Sequence, residues 1–289
     1  MKPFEYVAPA TLEQAVALLA EHGSDAQPLA GGTDLLVDLK HQSDTPKVLV
    51  DVGKVAELQG IEVTDHGLRI GSAVTHSEIM ASPLIREHTP AMIDAAHTVG
   101  AVQTRNLGTL GGNLVTCVPS LDSGPTLIAL DAQVTIGGPS GNKKMSLEEF
   151  FVGPRKTALA PGELLVDVLI PVECLGKPAS FHKFGLRKGQ ALALVNAAAS
   201  LRLNERNGTV AKPRIALGAV APTVIRARKA EEFLEGKQAG KDTFTKAGSI
   251  AVTEAKPIDD FRASADYRRD LIAVLTRRAL EGALAAANA

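Results

Sequence analysis

The chain has 289 residues, with 31 Lys and Arg against 32 Asp and Glu and a hydrophobic share of 45%. This composition excludes a disordered chain and gives no electrostatic reason to expect nucleic acid or an anionic membrane surface as partner. No apolar run approaches the roughly 18 residues that a membrane span needs, and Met1 to Val7 carries no leader-like apolar stretch, so a cytoplasmic location is expected. Cys117 and Cys174 cannot make a disulfide framework, and the seven histidines fall at no metal-ligand spacing, so no metal centre is expected in this chain.

Thr11-Leu12-Glu13-Gln14 has the spacing of a capping box, with Leu12, Ala15, Val16, Leu18 and Leu19 on one helical face and Gly23 as the stop. Ala26 to Leu29 follows as a short extended run, Ala30-Gly31-Gly32 as a tight turn, Thr33 to Leu39 as the start of a helix, and Val48 to Val52 as a buried strand. Leu68 to Val74 alternates as a strand. Thr75-His76-Ser77-Glu78 is a second capping box, opening a helix to about Ala81 that resumes from Pro83 to Val99. A glycine-rich turn runs from Gly108 to Asn113. Leu127 to Leu130 reads as helix, Ala132 to Gly137 as strand, Gly137 to Lys144 as a polar turn, and Glu163 to Ile170 as a strong strand ending at Pro171.

Gly176-Lys177-Pro178 reads as a connector, which sets domains at 1–175 and 176–289, the first in two parts of about 1–55 and 56–175. Beyond it, Phe181 to Arg187 and Ala193 to Leu203 are strand-like. Asn207-Gly208 predicts a type I′ hairpin into a strand through Arg214 to Leu217. Helices are predicted over Lys229 to Leu234, Thr243 to Ala255 and Tyr267 to Ala287, giving an antiparallel sheet covered by helices and an α+β class overall.

Two glycine pairs offer chemistry. In Leu29-Ala30-Gly31-Gly32-Thr33-Asp34-Leu35 the glycines end an extended run and open a helix, baring backbone N–H groups where a phosphate could sit. In Thr109-Leu110-Gly111-Gly112-Asn113 the missing side chains permit close backbone approach, and Thr109 and Asn113 add donors. The two together suit a diphosphate, yet the sequence has neither a GxxxxGK[ST] loop nor a GxGxxG fingerprint after a strand. His76 and His97 read as helix-surface or partly buried side chains, and Cys117 as a packed thiol.

Several ordered segments carry a family resemblance: Ala30 to Leu36, Arg105 to Leu114, and Ser120-Leu121-Asp122-Ser123-Gly124-Pro125. Further pieces are Gly153 to Thr157 with Gly162 to Leu165, Phe181 to Phe184, Ala221 to Arg226, and Tyr267-Arg268-Arg269. Over essentially its full length the chain resembles the FAD-binding medium subunit of the molybdenum hydroxylases, the group of xanthine dehydrogenase and carbon monoxide dehydrogenase.

The resemblance implies a two-part FAD-binding lobe of the vanillyl-alcohol-oxidase type followed by a C-terminal α+β domain. It implies that Ala30, Gly31, Gly32, Thr33, Asp34 and Leu35, with Thr109, Gly111, Gly112 and Asn113, hold the diphosphate and ribityl parts of FAD. It also implies that Asp122 bonds toward the adenosine half and that Leu165 and Lys183 approach the isoalloxazine. Read without the family, Asp122 is equally a helix N-cap, Leu165 a core residue and Lys183 a solvated strand lysine. The implied partners are a small chain with [2Fe-2S] clusters and a large molybdopterin chain, as a dimer of heterotrimers, with NAD+ or another acceptor taking the electrons. No cysteine-rich insertion for an additional cluster occurs between Asn113 and Asp131. A self-contained FAD oxidoreductase of the same fold class and a flavin-free scaffold are the competing readings.

Overall fold

The computed structural model describes residues 2–41, 45–204 and 206–289. In the first part, β1 (Glu5–Val7), α1 (Leu12–His22), β2 (Ala26–Leu29), α2 (Leu35–His41) and β3 (Val48–Asp51) form a small unit whose parallel sheet has the order β1-β3-β2. Thr11 caps α1 by accepting from the Gln14 N–H. The Gln14 side chain reaches back to the Ala10 N–H at 2.9 Å rather than to Thr11, so the expected reciprocal box is not closed. α1 buries Ala15, Val16 and Leu19 and ends at Gly23, which takes a positive φ of 52°.

A second sheet is antiparallel, in the order β4-β5-β10-β6-β7, from β4 (Ile61–Thr64), β5 (Gly67–Gly71), β6 (Gln133–Gly138), β7 (Gly141–Ser146) and β10 (Leu164–Pro171). Short helices fill the crossover: α3 (His76–Ala81), α4 (Pro83–His88), α5 (Ala91–His97), α6 (Val102–Leu107), α7 (Leu110–Thr116) and α8 (Ser123–Ala129). α9 (Leu147–Phe150) and a two-stranded ribbon, β8 (Phe151–Gly153) with β9 (Lys156–Thr157), lead into β10. β10 serves both units: Leu164 and Val166 pack with Ala15, Leu19, Val48 and Val50, whereas Leu165, Val168 and Ile170 join the main core.

Three expectations change here. The helix predicted from Pro83 to Val99 breaks at Thr89-Pro90, because Thr89 leaves helical geometry (φ −151°, ψ 59°) and Pro90 has no N–H to donate. The polar turn predicted over Gly137 to Lys144 is instead the β6–β7 hairpin, paired from Gln133 with Ser146 to Gly138 with Gly141. β7 is an edge strand with its first four residues exposed, so its lysines need no apolar alternation. The glycine stretch predicted as a turn contributes the first turn of α7, capped by the Thr109 hydroxyl.

The last part is an antiparallel sheet of β11 (Ala179–Gly185), β12 (Ala193–Leu203), β13 (Val210–Gly218) and β14 (Ile225–Arg226). α10 (Arg228–Leu234), α11 (Lys241–Val252) and α12 (Ala265–Ala287) cover it. α12 turns Leu271, Ile272, Leu275, Ala279, Leu280 and Ala283 inward at three- and four-residue spacing. It lies close to α11, since a Cβ on Gly248 would stand 2.5 Å from the Ala273 carbonyl oxygen. The predicted two-residue type I′ turn is not formed: the Asn204 N–H still bonds the Thr209 carbonyl, the Asn204 carbonyl accepts from Gly208, and Gly208 alone of the pair has positive φ. A longer loop results, of which Glu205 lies outside the described residues. Among the described residues no helix is long and apolar enough to cross a membrane.

Candidate functional site: a cleft between the glycine segments

A cleft of about 330 Å³ lies where the loop after β2 faces the segments 72–76 and 108–116, with Leu164 and Leu165 of β10 also in its lining. Of the residues expected at a site, Ala30, Gly31, Gly32, Thr33, Asp34, Leu35, Thr109, Gly111, Gly112, Asn113 and Leu165 all line it. Asp122 and Lys183 do not.

The first segment is built for an anion. Gly32 takes φ +69°, and a Cβ on Gly31 would stand 1.8 Å from the Leu107 carbonyl oxygen, so both glycines are required by the backbone path. Among the described residues, none of the N–H groups of Gly31, Gly32, Thr33, Asp34 and Leu35 donates to a protein acceptor; the α2 ladder begins with the Leu36 N–H bonding the Gly32 carbonyl. Consecutive free N–H groups around a left-handed residue form a concave nest for negative charge. Asp34 stands at its edge, its carboxyl pushed above the ordinary value by partial burial and by the Asp38 carboxylate, with Arg155 pulling the other way. Arg155 reaches Asp38 at 3.1 Å.

The second segment behaves differently. Its N–H groups are used inside the protein: Leu110 to the Val74 carbonyl, Gly111 to the Ser72 carbonyl, both 2.8 Å, and Gly112 to the Thr109 hydroxyl at 3.0 Å. Gly111 is a packing glycine, since its Cβ would lie 2.6 Å from that of Ser72. Gly112 is the one that opens to the cleft, where an added Cβ would meet only the Thr109 hydroxyl at 3.0 Å. Ser123 donates to Asn113 Oδ1 at 2.6 Å, which leaves the Asn113 amide N–H groups without a bonding partner among the described residues.

His76 is the residue that sequence reasoning misplaced. It is buried, 1% exposed, and lines the cleft, because the first residue of α3 turns back toward Gly108 rather than to solvent. Its backbone N–H bonds the Gly108 carbonyl at 3.0 Å. Burial, reinforced by the Arg105 guanidinium, lowers its pKa from the ordinary 6.5 to about 4. The folded chain therefore resists protonation that the unfolded chain accepts below 6.5. Stability of the ligand-free chain should fall as pH drops from 6.5 toward 4, by up to about 3 kcal/mol, and urea titrations of His76→Gln should show no such fall from this site. His97 is exposed on α5, as expected.

Asp122 and Lys183 face one another, 2.5 Å apart and each 8% exposed. Asn196 donates to the other Asp122 oxygen at 3.0 Å, and Lys183 donates also to the Thr98 carbonyl at 3.1 Å. Asp122 occupies the N-cap position of α8 but makes no capping bond, and Lys183 is half-buried with its side chain turned inward rather than solvated. Burial pushes the Asp122 carboxyl up, against the pull of Lys183. The pair joins β11 and β12 to α8 and to the turn after α5, beside cleft residue Val99.

Cys117 is a packed thiol: buried, 3.3 Å from the Gly153 carbonyl and 3.5 Å from that of Lys156, with burial raising its pKa. A serine hydroxyl can make the same contact. Cys117→Ser should keep its ligand content and lose only a few degrees of Tm, as read by calorimetry.

A family model described as the FAD binding domain in molybdopterin dehydrogenase matches residues 2–173, and one described as the CO dehydrogenase flavoprotein C-terminal domain matches residues 179–283. The chain belongs to the FAD-binding medium-subunit family of the molybdenum hydroxylases. It is 34% identical to the putative xanthine dehydrogenase FAD-binding subunit of Escherichia coli strain K12, over 96% of this chain and 95% of that one. It is 32% identical to the carbon monoxide dehydrogenase medium chain of Hydrogenophaga pseudoflava, over 98% and 97%. A solved carbon monoxide dehydrogenase from that organism, lacking the Mo-pyranopterin moiety, superposes with a TM-score of 0.94 at 33% identity, over 99% of this chain and 98% of that one. Quinoline 2-oxidoreductase from Pseudomonas putida 86 gives 0.92 at 33% identity, over 99% of each chain. This medium subunit is an oxidoreductase component with FAD as its cofactor, and the expected α+β arrangement of an FAD-binding part followed by a helix-covered antiparallel sheet is the one observed. The cleft fits that cofactor: a nest of free N–H groups for a diphosphate, an open glycine, and apolar Leu164 and Leu165 beside them.

Proposed function

We propose that this chain is the electron-transfer subunit of a molybdenum hydroxylase, in which FAD in the cleft supplies the redox chemistry that carries electrons from partner [2Fe-2S] clusters to NAD+ or another acceptor. The observation that carries the reading is the run of free N–H groups from Gly31 to Leu35 facing Gly112 across the cleft. In this reading Ala30 to Leu35 cradle the diphosphate, Thr109, Gly112 and Asn113 close the opposite side, Gly111 lets α7 approach Ser72, and Leu165 packs against the isoalloxazine. Asp122 and Lys183 act at one remove, fixing Thr98 beside the cleft. Residues 1–175 are the cofactor lobe, in parts of about 1–55 and 56–175, and residues 176–289 the C-terminal domain.

The partners are a small iron–sulfur chain and a large molybdopterin chain in a cytoplasmic dimer of heterotrimers. Among the described residues that line the cleft, none pairs a nucleophile with a base, as an independent substrate oxidation using such a pair would want. The test is anaerobic addition of reducing substrate to the assembly isolated through this chain. Bleaching of the flavin absorbance that needs the partner chains, and its recovery on adding NAD+, is the expected result. Bleaching by an organic substrate with this chain alone would support the self-contained oxidoreductase instead. Recovery with oxygen or a quinone but not NAD+ would reassign the acceptor.

A further inference from the structure

We propose that His76 is a direct contact for the bound cofactor, donating a hydrogen bond from its imidazole to a diphosphate oxygen at the junction of the two glycine segments. This deepens the FAD-binding reading and rests on it. The ring stands where those segments meet: a Cβ on Gly108 would lie 3.7 Å from His76 Cδ2 and 3.4 Å from Thr33 Oγ1, and Thr33 belongs to the nest of free N–H groups. His76 lines the cleft and is almost wholly buried, yet neither ring nitrogen has a hydrogen-bond partner among the described residues, and Nδ1 is sealed from solvent.

Unpaired buried polar groups destabilise a fold and persist mainly where something else satisfies them. The other buried side-chain atoms left without a partner belong to Thr89, Thr126, Asn196, Arg262, Arg268 and Thr276, none of which lines the cleft. His76 is therefore the one of these residues that lines the cleft, and its Nε2, also without a protein partner among the described residues but not sealed as Nδ1 is, is the ring nitrogen within reach of a ligand there. Burial, with Arg105 adding to it, keeps the ring neutral, so it can stand in the cleft without stranding a charge and still offer one N–H donor. Thr75 and Glu78 hold it in place through the capping box that begins α3.

The test is fluorescence titration of flavin-stripped full-length chain with FAD and, separately, with riboflavin, which lacks the diphosphate. His76→Phe keeps the ring volume without the hydrogen bond, whereas His76→Gln keeps a neutral donor. The expected result is FAD affinity lowered on the order of 10-fold or more in His76→Phe, largely restored in His76→Gln, with riboflavin affinity unchanged in both. Equal FAD affinity in wild type and His76→Phe overturns the proposal while leaving the FAD reading intact. Wild type that takes up no FAD overturns both. Should His76→Phe fail to fold, imidazole nitrogen NMR of the wild type decides: His76 resonances that shift on adding FAD support the contact, and resonances that stay in place overturn it.

Discussion

Gly112→Val is expected to strip the chain of flavin while leaving it folded. Gly112 is exposed on the first turn of α7, and a Cβ there meets only the Thr109 hydroxyl, at 3.0 Å, so the protein accommodates a side chain with a shift of that hydroxyl by a few tenths of an ångström. The ligand does not, because a branched side chain projects into the space opposite the nest. FAD affinity should fall on the order of 100-fold, with Tm within a few degrees of wild type. Gly31→Ala is the contrasting case. Its Cβ would lie 1.8 Å from the Leu107 carbonyl oxygen, a backbone clash that must move the 107–108 segment. The cost is about 1–3 kcal/mol of stability, and flavin is lost as a consequence of a displaced loop rather than a filled site. Flavin titration beside calorimetry separates the two modes of failure. Normal flavin content in Gly112→Val would remove Gly112 from the site.

Lys183→Met is expected to destabilise the chain by about 3–5 kcal/mol, because it leaves the Asp122 carboxylate buried without its charged partner. Asp122→Asn should also destabilise, by stranding the ammonium. The double variant should lose less than the sum of the two, since the coupling resides in the pair. Chemical denaturation of the four proteins measures this cycle. The outcome bears on function, since a lysine that instead touched the isoalloxazine would, on substitution, weaken FAD binding or shift its potential with little change in the stability of the ligand-free chain.

Backbone-driven features were the most legible in the sequence. Gly32 is needed by the local chain path, at φ +69°, so the turn shows in the sequence, whereas Gly31 is required by the distant Leu107 carbonyl and stands out only as its neighbour. α12 shows its inward face in the spacing of Leu271, Leu275 and Ala279, because a helix encodes its buried side locally. β7 was hidden because an edge strand exposed along Asn142, Lys143 and Lys144 has no apolar signature. The second glycine segment was half legible: the glycines stood out, but only the structure shows that Gly111 serves packing and Gly112 the cleft.

Side chains whose roles depend on distant partners were not legible. Asp122 and Lys183 are 61 residues apart, and nothing local to either indicates the other. His76 reads only as a helix-surface or partly buried side chain because a capping box predicts where α3 starts, not that its first side chain turns back against Gly108. The unpaired ring that makes this residue informative reaches the cleft only once the segments of Thr33, His76 and Gly108 have come together.

The central claim is that this cleft holds FAD. The most direct measurement is the visible absorption spectrum of the purified chain, followed by heat release and chromatography of the cofactor against FAD and FMN standards. Near-stoichiometric release of FAD is the predicted result. A colourless protein that takes up no added FAD, even with its partner chains present, would contradict the account and leave a flavin-free scaffold in its place.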